Sequence, residues 1–90
     1  MPPVDIYTTR WCPYCGMAKA LLKRKGVTYN EINLSRERER RVEMTARANG
    51  RTTVPQIFIG ARHVGGSDDL HALERAGKLD ALLDGQGQTA

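Results

Sequence analysis

Two cysteines, the only ones in the chain, are separated by two residues and stand where a predicted strand turns into a predicted helix. The short apolar run Val4–Thr8 predicts the strand, and the run Met17–Leu22 predicts the helix. Cys12 and Cys15 therefore lie at the N-terminus of this helix, where Pro13 suits the first helical position. We expect the fold to begin with a β-α unit that carries its reactive group at the junction.

The surroundings of the two cysteines predict redox chemistry. Orphan backbone N–H groups and the positive end of the helix dipole favour a thiolate at Cys12. An unperturbed cysteine, with a pKa of about 8.5, is mostly protonated at neutral pH. Arg10 and Lys19 are candidate cationic neighbours of the sulfur. Cys15 falls on the same face of the first turn, close enough to close a disulfide, so we expect Cys12 to be the nucleophile and Cys15 the resolving thiol.

The length and composition predict one folded domain. The chain has 90 residues, near the size at which a single core is adequate, and 40% of them are hydrophobic. We expect the domain to span residues 1–84, and residues 85–90, which have nothing to bury, to form a flexible tail. No apolar run is long enough to cross a bilayer, and the N-terminus lacks the blocks of a secretory signal. A cytoplasmic location is expected, where a Cys-x-x-Cys pair is catalytic rather than structural.

The net charge of +4 does not by itself predict a nucleic-acid-binding protein. Much of the basic charge lies in the run Arg36–Arg41, in which glutamates alternate with arginines. Glu37 and Arg41 have the i,i+4 spacing of an ion pair on a solvated helix face. We therefore expect no nucleic-acid partner and no membrane partner.

Apolar periodicity and turn residues predict the element order β-α-β-α-β-β-α. The predicted elements are a strand over Val4–Thr8, a helix from Pro13 to about Lys25 ended by Gly26, a strand over Val27–Leu34, a helix from the N-cap Ser35 to about Ala48, strands over Gln56–Ile59 and His63–Val64, a helix capped by Ser67 or Asp68, and a last turn or two at Leu79–Leu83. A β-α-β opening implies a parallel pair, and the short link between the last two strands implies an antiparallel hairpin. The predicted fold class is α/β, a small mixed four-stranded sheet with helices on both faces.

Three motifs in this order resemble the glutaredoxins, most closely the small bacterial dithiol glutaredoxins. The motifs are Cys12-Pro13-Tyr14-Cys15, Thr53-Val54-Pro55 and Gly65-Gly66-Ser67-Asp68-Asp69. The resemblance spans Val4 to Leu83 and implies the thioredoxin fold, with the active site at the start of the first helix. It also implies a glutathione-dependent thiol–disulfide oxidoreductase that reduces glutathionyl mixed disulfides and protein disulfides.

The resemblance further implies how glutathione is bound. Tyr14 flanks the cysteine of glutathione, and a cis Val54–Pro55 bond exposes the Val54 N–H and C=O to pair with the backbone of that cysteine. Ser67, through its backbone N–H, and Asp68, which accepts from the ammonium, hold the γ-glutamyl end. The residues implied to bind glutathione are Arg10, Tyr14, Thr53, Val54, Pro55, Gly66, Ser67 and Asp68.

Two positively charged contacts stay open at this point. The family usually carries a lysine three residues before its nucleophile, and this chain has Thr9 there. Arg10 follows it, and the sequence leaves open whether Arg10 replaces that lysine. The glycyl carboxylate of glutathione needs a cation, for which Arg41 and Arg51 are both candidates.

A metal site is an alternative use of the two cysteines. His63 and His71 stand eight residues apart, in a predicted strand and a predicted helix, whereas a zinc site with Cys-x-x-Cys usually brings a second close pair of ligands. Pro13 after the nucleophile is not the pattern expected for an iron–sulfur cluster bridged between two copies. We expect no bound metal or cofactor, glutathione as co-substrate, and a monomer.

Two other functions compete with this interpretation. Trp11 is shared with thioredoxins, although these carry glycine and proline between their cysteines, so a redoxin reduced by thioredoxin reductase is a rival in the same class. Response to glutathione separates the two. A non-catalytic protein that holds metal or nucleic acid is a rival in a different class, and metal analysis with a salt-dependent DNA titration would expose it.

Overall fold

The computed structural model of the chain describes residues 2–85, in which four strands form one sheet. The strands are β1 (Val4–Thr8), β2 (Asn30–Asn33), β3 (Gln56–Ile59) and β4 (Arg62–Gly65). Their order across the sheet is β2-β1-β3-β4. β1 and β2 are parallel, whereas β1 and β3, and β3 and β4, are antiparallel. The predicted mixed four-stranded sheet is confirmed.

Two helices connect the first three strands, and two more follow the last strand. They are α1 (Pro13–Arg24), α2 (Arg41–Arg47), α3 (Ser67–Arg75) and α4 (Leu79–Leu83), with a 3₁₀ turn over Arg38–Arg40 before α2. α1 begins as predicted, because Cys12 is extended (φ −115°, ψ 100°) and Pro13 follows as the first helical residue. It ends before Gly26, whose φ of +71° is a left-handed conformation that glycine tolerates best. None of the helices within residues 2–85 combines the length and the apolar character that a membrane span requires.

Alternation along the strands divides the core into two layers, one on each face of the sheet. On one face, Ile6 of β1 packs in a cluster with Leu21 of α1 and with apolar side chains of α3 and α4. On the other face, Tyr7 and Phe58 pack with Met44 of α2, and the two rings meet edge to face at 5.7 Å. The prediction of helices on both faces is confirmed, and burial of the α1 face holds the N-terminus of this helix beside the end of β1.

The second helix is predicted wrongly at its start. The sequence predicts a helix from the N-cap Ser35 to about Ala48, but α2 begins only at Arg41, after the 3₁₀ turn. The Ser35 Oγ accepts the backbone N–H of Arg10 at 2.9 Å. The Ser35 N–H donates to Asn33 Oδ1 at 2.8 Å. Ser35 therefore belongs to a turn that follows β2 and ties it to the loop before α1, so it cannot cap a helix.

Smaller differences concern one strand, one helix cap and the tail. The second strand, predicted over Val27–Leu34, pairs with β1 only over Asn30–Asn33. The N-cap of α3 is Gly66 rather than Ser67 or Asp68, because Gly66 is extended whereas Ser67 is already helical. Of the predicted tail, residues 86–90 lie outside the described residues.

Candidate active site

The two cysteines lie at the junction of β1 and α1 and are joined as a disulfide, with their Cα atoms 5.2 Å apart. Cys12 is the N-cap of α1, and its Sγ accepts the N–H of Cys15 at 3.2 Å. Cys12 is partly exposed, whereas Cys15 is only 2% exposed. The pair thus presents one sulfur to solvent and keeps the other beneath it.

The position of Cys12 favours a negatively charged sulfur once the disulfide is reduced. The first turn of α1 contains no acidic residue, and its N–H groups and dipole are directed at the N-cap sulfur. The candidate cation Lys19 is engaged elsewhere, because its Nζ lies 3.0 Å from Glu31 Oε2. Burial alone would raise the pKa of Glu31, but hydrogen bonds from Thr8 and Lys19 outweigh burial and lower that pKa. The contacts of the Cys12 sulfur therefore support activation by the helix N-terminus, whereas Lys19 is paired with Glu31.

A groove of about 300 Å³ opens beside the cysteine pair. It is formed by the start of α1, the loop before β3 and the N-terminus of α3. The lining residues are Tyr14, Arg51, Thr53, Val54, Pro55, Gly66, Ser67 and Asp68. The carbonyl oxygen of Val54 lies 3.9 Å from the Cys12 Sγ. Seven of the eight residues predicted to bind glutathione line this groove, and the Val54–Pro55 bond is cis, as the resemblance implies.

Arg10 is the predicted glutathione-binding residue that does not line the groove. Its backbone N–H donates to the Ser35 Oγ, and its exposed side chain forms no ion pair within residues 2–85. Thr9, at the position of the family's lysine, does not line the groove either. The binding of glutathione by Arg10 therefore stays a prediction, and the position of Arg10 outside the groove does not support it.

The two candidate cations for the glycyl carboxylate differ in their surroundings. Arg51 lines the groove, and its Nη1 lies 3.3 Å from Asp69 Oδ2. The same Asp69 oxygen accepts the Gly66 N–H at 2.9 Å, which fixes the start of α3. Arg41 instead donates to the Thr52 carbonyl at 2.6 Å and is not a lining residue. The geometry favours Arg51 as the cation of the groove.

The buried side-chain amide of Gln56 forms a hydrogen bond to the loop before β3. Gln56, the first residue of β3, is fully buried, and its Nε2 donates to Thr53 Oγ1 at 3.3 Å. Its Oε1 lies 2.6 Å from the Nε2 of His63, which must be the donor because an amide oxygen only accepts. Burial, more than any neighbouring charge, lowers the pKa of His63. Neutral His63 and Gln56 together hold Thr53 in the groove wall.

Sequence analysis gives no role to Gln56, and it names Asp69 only as the last residue of the third motif. A signal for Asp69 exists, because an acidic residue three positions after a helix N-cap, here Gly66, is typical of a capping box. A signal for Gln56 also exists, since a polar residue between Pro55 and an apolar strand requires hydrogen-bond partners when buried. Neither signal identifies the more distant residue to which the side chain binds, Arg51 for Asp69 and His63 for Gln56.

The residues described by the structure contain no group of three or more His, Cys, Asp or Glu side chains that could hold a metal ion. Each histidine has another partner. His71 Nδ1 lies 2.7 Å from the carbonyl oxygen of Ser67, and His63 bonds to Gln56. That the protein works without a metal stays a prediction.

Known proteins were compared with this chain. The family model described as Glutaredoxin matches residues 4–64. A glutaredoxin from Pseudomonas aeruginosa is 69% identical over 83 residues, which cover 92% of this chain and 98% of that protein. The solution structure of a glutaredoxin from Brucella melitensis has 61% identity and a TM-score of 0.79, covering 92% of this chain and 89% of that one.

A crystal structure of a buckwheat glutaredoxin–glutathione complex is more distant in sequence but similar in fold. It has 32% identity and a TM-score of 0.83, and covers 99% of this chain and 83% of that one. The mixed sheet and its helices therefore form a thioredoxin-like fold. The matched family model, the identity to these relatives and the adjacent cysteines at the start of α1 lead to one conclusion: the chain belongs to the glutaredoxin family of thiol–disulfide oxidoreductases.

Proposed function

We propose that the protein is a glutathione-dependent disulfide oxidoreductase in which Cys12 is the nucleophile and Cys15 the resolving thiol. The position of the Cys12 sulfur is the main support for this proposal. The sulfur accepts the Cys15 N–H at 3.2 Å and lies 3.9 Å from the carbonyl oxygen of Val54, which lines the groove. A thiol whose pKa is near the ambient pH is about half ionised and keeps most of its nucleophilicity. The burial of Cys15 supports its role as the second, resolving thiol.

The first half of the reaction transfers glutathione to the protein. The Cys12 thiolate attacks the glutathione sulfur of a mixed disulfide, so that a Cys12–glutathione bond forms and the bond to the substrate sulfur breaks. The substrate leaves as a thiolate and takes a proton from water. A second glutathione thiolate then attacks the glutathione sulfur on Cys12, which yields glutathione disulfide and restores the Cys12 thiolate.

Protein disulfides follow a route that uses both cysteines. Cys12 attacks one sulfur of the substrate disulfide and forms a mixed disulfide with the substrate. Cys15 attacks the Cys12 sulfur of this bond, releases the substrate as a dithiol and leaves the Cys12–Cys15 disulfide. Two molecules of glutathione reduce that disulfide in turn. NADPH enters only through glutathione reductase, which recycles glutathione disulfide.

The groove offers a partner for each part of glutathione. In the proposal, the Val54 N–H and C=O pair with the backbone of the glutathione cysteine, and Tyr14 flanks its side chain. The Ser67 N–H and the Asp68 carboxylate take the carboxylate and the ammonium of the γ-glutamyl end. Arg51 takes the glycyl carboxylate, which its position in the groove lining supports.

Two single substitutions test the proposal. Turnover of the mixed disulfide of glutathione and cysteine is measured with glutathione, glutathione reductase and NADPH. Cys12→Ser is expected to abolish turnover, whereas Cys15→Ser keeps most of it, because a second glutathione resolves the Cys12 adduct. Equal and complete loss in both variants would contradict the glutathione-dependent step. Reduction of the oxidised protein by thioredoxin reductase but not by glutathione would favour the rival redoxin.

We further propose a cytoplasmic monomer without a bound metal or cofactor. Its partners are glutathione and glutathionylated or disulfide-bonded proteins, with no nucleic acid and no membrane. Sedimentation of the reduced protein and metal analysis after anaerobic purification test this part. A dimer that carries iron would overturn it.

A further inference from the structure

The start of α1 exposes an apolar surface around Cys12. Within residues 2–85 the strongly exposed large hydrophobic side chains are Trp11 (90% exposed), Tyr14 (63%), Met17 (51%) and, on α2, Val42 (77%). Tyr14 and Met17 are three residues apart within α1 and lie on one side of the helix start, and Trp11 directly precedes the N-cap Cys12. Pro13 and Gly16, exposed between them, add no charge. Several exposed apolar side chains close in sequence to a reactive cysteine are typical of a binding site.

The backbone of Trp11 supports a role in binding. Its φ of +60° lies in the left-handed region, which bulky side chains rarely adopt. Such a conformation persists only where the surrounding structure enforces it, and it occurs preferentially at functional sites. Core packing does not account for Trp11, because the indole is almost entirely exposed to solvent.

The segment of the chain that carries this surface is basic. Between Asp5 and Glu31 the chain has five basic residues and no acidic one. Two of the five form ion pairs, namely Lys19 with Glu31 and Lys25 with side chains of α3 and α4. Arg10, next to Trp11, has an exposed side chain and no ion pair in the described part of the chain. A partner that covers Trp11 and carries acidic side chains would give Arg10 its counter-charge.

The glutathione groove shares only Tyr14 with this surface. Its lining contains Tyr14 but neither Trp11 nor Arg10. When Cys12 attacks a mixed disulfide, glutathione fills the groove and the other half of the substrate lies outside it. That half is the polypeptide whose cysteine carried the glutathione. The chemistry proposed for Cys12 therefore points to the substrate protein as the occupant of the exposed surface.

We propose that Trp11 and Arg10 form a docking edge that selects substrate proteins whose reactive cysteine lies beside an apolar and an acidic side chain. The proposal rests on the proposed function and assigns its specificity for protein substrates. Trp11 contributes apolar contact area and Arg10 an ion pair, and both residue types are enriched among the residues that contribute most to protein–protein binding.

The role of Trp11 is tested with two glutathione mixed disulfides, one of free cysteine and one of a short peptide with leucine beside its cysteine. Trp11→Ala is expected to lower kcat/KM for the peptide by about fivefold or more and to change that for the cysteine disulfide by less than about twofold. Trp11→Phe retains most of the activity toward the peptide. Val42→Ala, which truncates another strongly exposed apolar side chain on α2, changes neither value. Equal loss on both substrates would show that Trp11 acts on the fold or on Cys12, and would overturn the docking role.

The role of Arg10 is tested by charge reversal. Three peptides carry two aspartates, two asparagines or two lysines beside the cysteine and leucine. At low ionic strength the wild-type protein is expected to favour the acidic over the basic peptide by about threefold or more. Arg10→Glu inverts this order, whereas Arg75→Glu, at the exposed end of α3, preserves it. An unchanged order in Arg10→Glu, or no preference in the wild-type protein, would overturn the acidic specificity.

These outcomes differ from a failure of the proposed function. If the wild-type protein did not turn over the cysteine–glutathione disulfide, the glutathione-dependent activity itself would be refuted, and the docking edge with it. If that disulfide is turned over but the peptides show neither the Trp11 nor the Arg10 effect, only the docking edge is refuted.

Discussion

Arg51 and Asp69 form an ion pair at the edge of the groove, with the Arg51 Nη1 and Asp69 Oδ2 atoms 3.3 Å apart. The same Asp69 oxygen accepts the Gly66 N–H at 2.9 Å, so one carboxylate fixes the start of α3 and restrains the guanidinium. Both side chains are nearly half exposed, and solvent screens their attraction. The importance of the pair therefore lies in where it places Arg51 rather than in stability.

Removing the charge of Asp69 is expected to weaken glutathione binding. The amide in Asp69→Asn can still accept the Gly66 N–H but no longer forms an ion pair with Arg51. The Arg51 side chain is then free to move and has to be ordered when glutathione binds, which costs conformational entropy. We expect the KM for glutathione to rise by about two- to fivefold with little change in kcat. In an Arg51→Gln background the same substitution has no further effect. Asp80→Asn, which removes a carboxylate 3.0 Å from Lys25 and away from the groove, serves as control.

The Cys12 sulfur is expected to react as a thiolate below neutral pH. In the Cys15→Ser variant, which prevents disulfide formation, the Cys12 Sγ still lies at the N-terminus of α1. Iodoacetamide at pH 6 should alkylate it at least about threefold faster than free cysteine, after allowance for the lower nucleophilicity of an acidic thiol. The same variant unfolded in urea provides the reference for the chain without its helix. Equal rates in the folded and unfolded protein would argue against activation by the helix N-terminus.

The sequence predicts best those elements whose signals are local. The limits of β1 and β3 match their predicted ranges, because short apolar runs and Pro55 define them. α2 is mispredicted because the run Arg36–Arg41 is helical in composition. The preceding Ser35, however, bonds to Arg10, which is remote in sequence. Such a contact depends on how β2 packs beside β1, and no local pattern encodes it.

The same distinction applies to the site. The three motifs predict seven of the eight residues that line the groove, because each motif sits at the end of an element that the fold brings to one edge. The choice between Arg41 and Arg51 could not be made from sequence, since it depends on the Thr52 carbonyl that engages Arg41 and the Asp69 carboxylate that engages Arg51. Residues that act through another residue, such as Gln56 on Thr53, are missed for the same reason.

Protonation of His63 is expected to destabilise the protein in mild acid. Burial, followed by the positive charge of Arg51 and that of Arg47, lowers the pKa of His63 below its usual 6.5, whereas Asp69 opposes the shift. The unfolded chain therefore binds this proton more tightly than the folded one. The contribution of neutral His63 is complete above about pH 6.5 and is lost as the pH falls toward the folded-state pKa.

Urea unfolding at two pH values, about 7.5 and 5.5, measures this loss. The free energy of unfolding of the wild-type protein should fall between them, and His63→Gln should reduce the fall. His71→Gln should keep it, because His63 is intact. The pKa values of Glu31 and Glu43 are lowered from 4.5, so their contributions are lost in a more acidic range. An equal fall in His63→Gln and in the wild-type protein would exclude His63 as its cause.

Two glycine-to-alanine substitutions are expected to have opposite effects, because one position is crowded by groove residues and the other has open space. Gly65 has a φ of +115°, and a Cβ at this position would overlap the Asp69 carboxylate and the Arg51 guanidinium. Gly65→Ala is therefore expected to lower the free energy of unfolding by about 2 kcal/mol and to displace Arg51. Gly16, within α1, has open space around the same position, and Gly16→Ala is expected to stabilise the protein by about 0.5 to 1 kcal/mol.

Urea unfolding and glutathione kinetics on the two variants check both expectations. Gly65→Ala should raise the KM for glutathione, because the displaced guanidinium no longer lies where the glycyl carboxylate is proposed to bind. The rise in KM should be smaller in an Arg51→Gln background, since the guanidinium that the added Cβ would displace is then absent. If Gly65→Ala lost stability but kept the wild-type KM for glutathione, Arg51 would not be the cation of the groove, and the carboxylate would have to be held by another group.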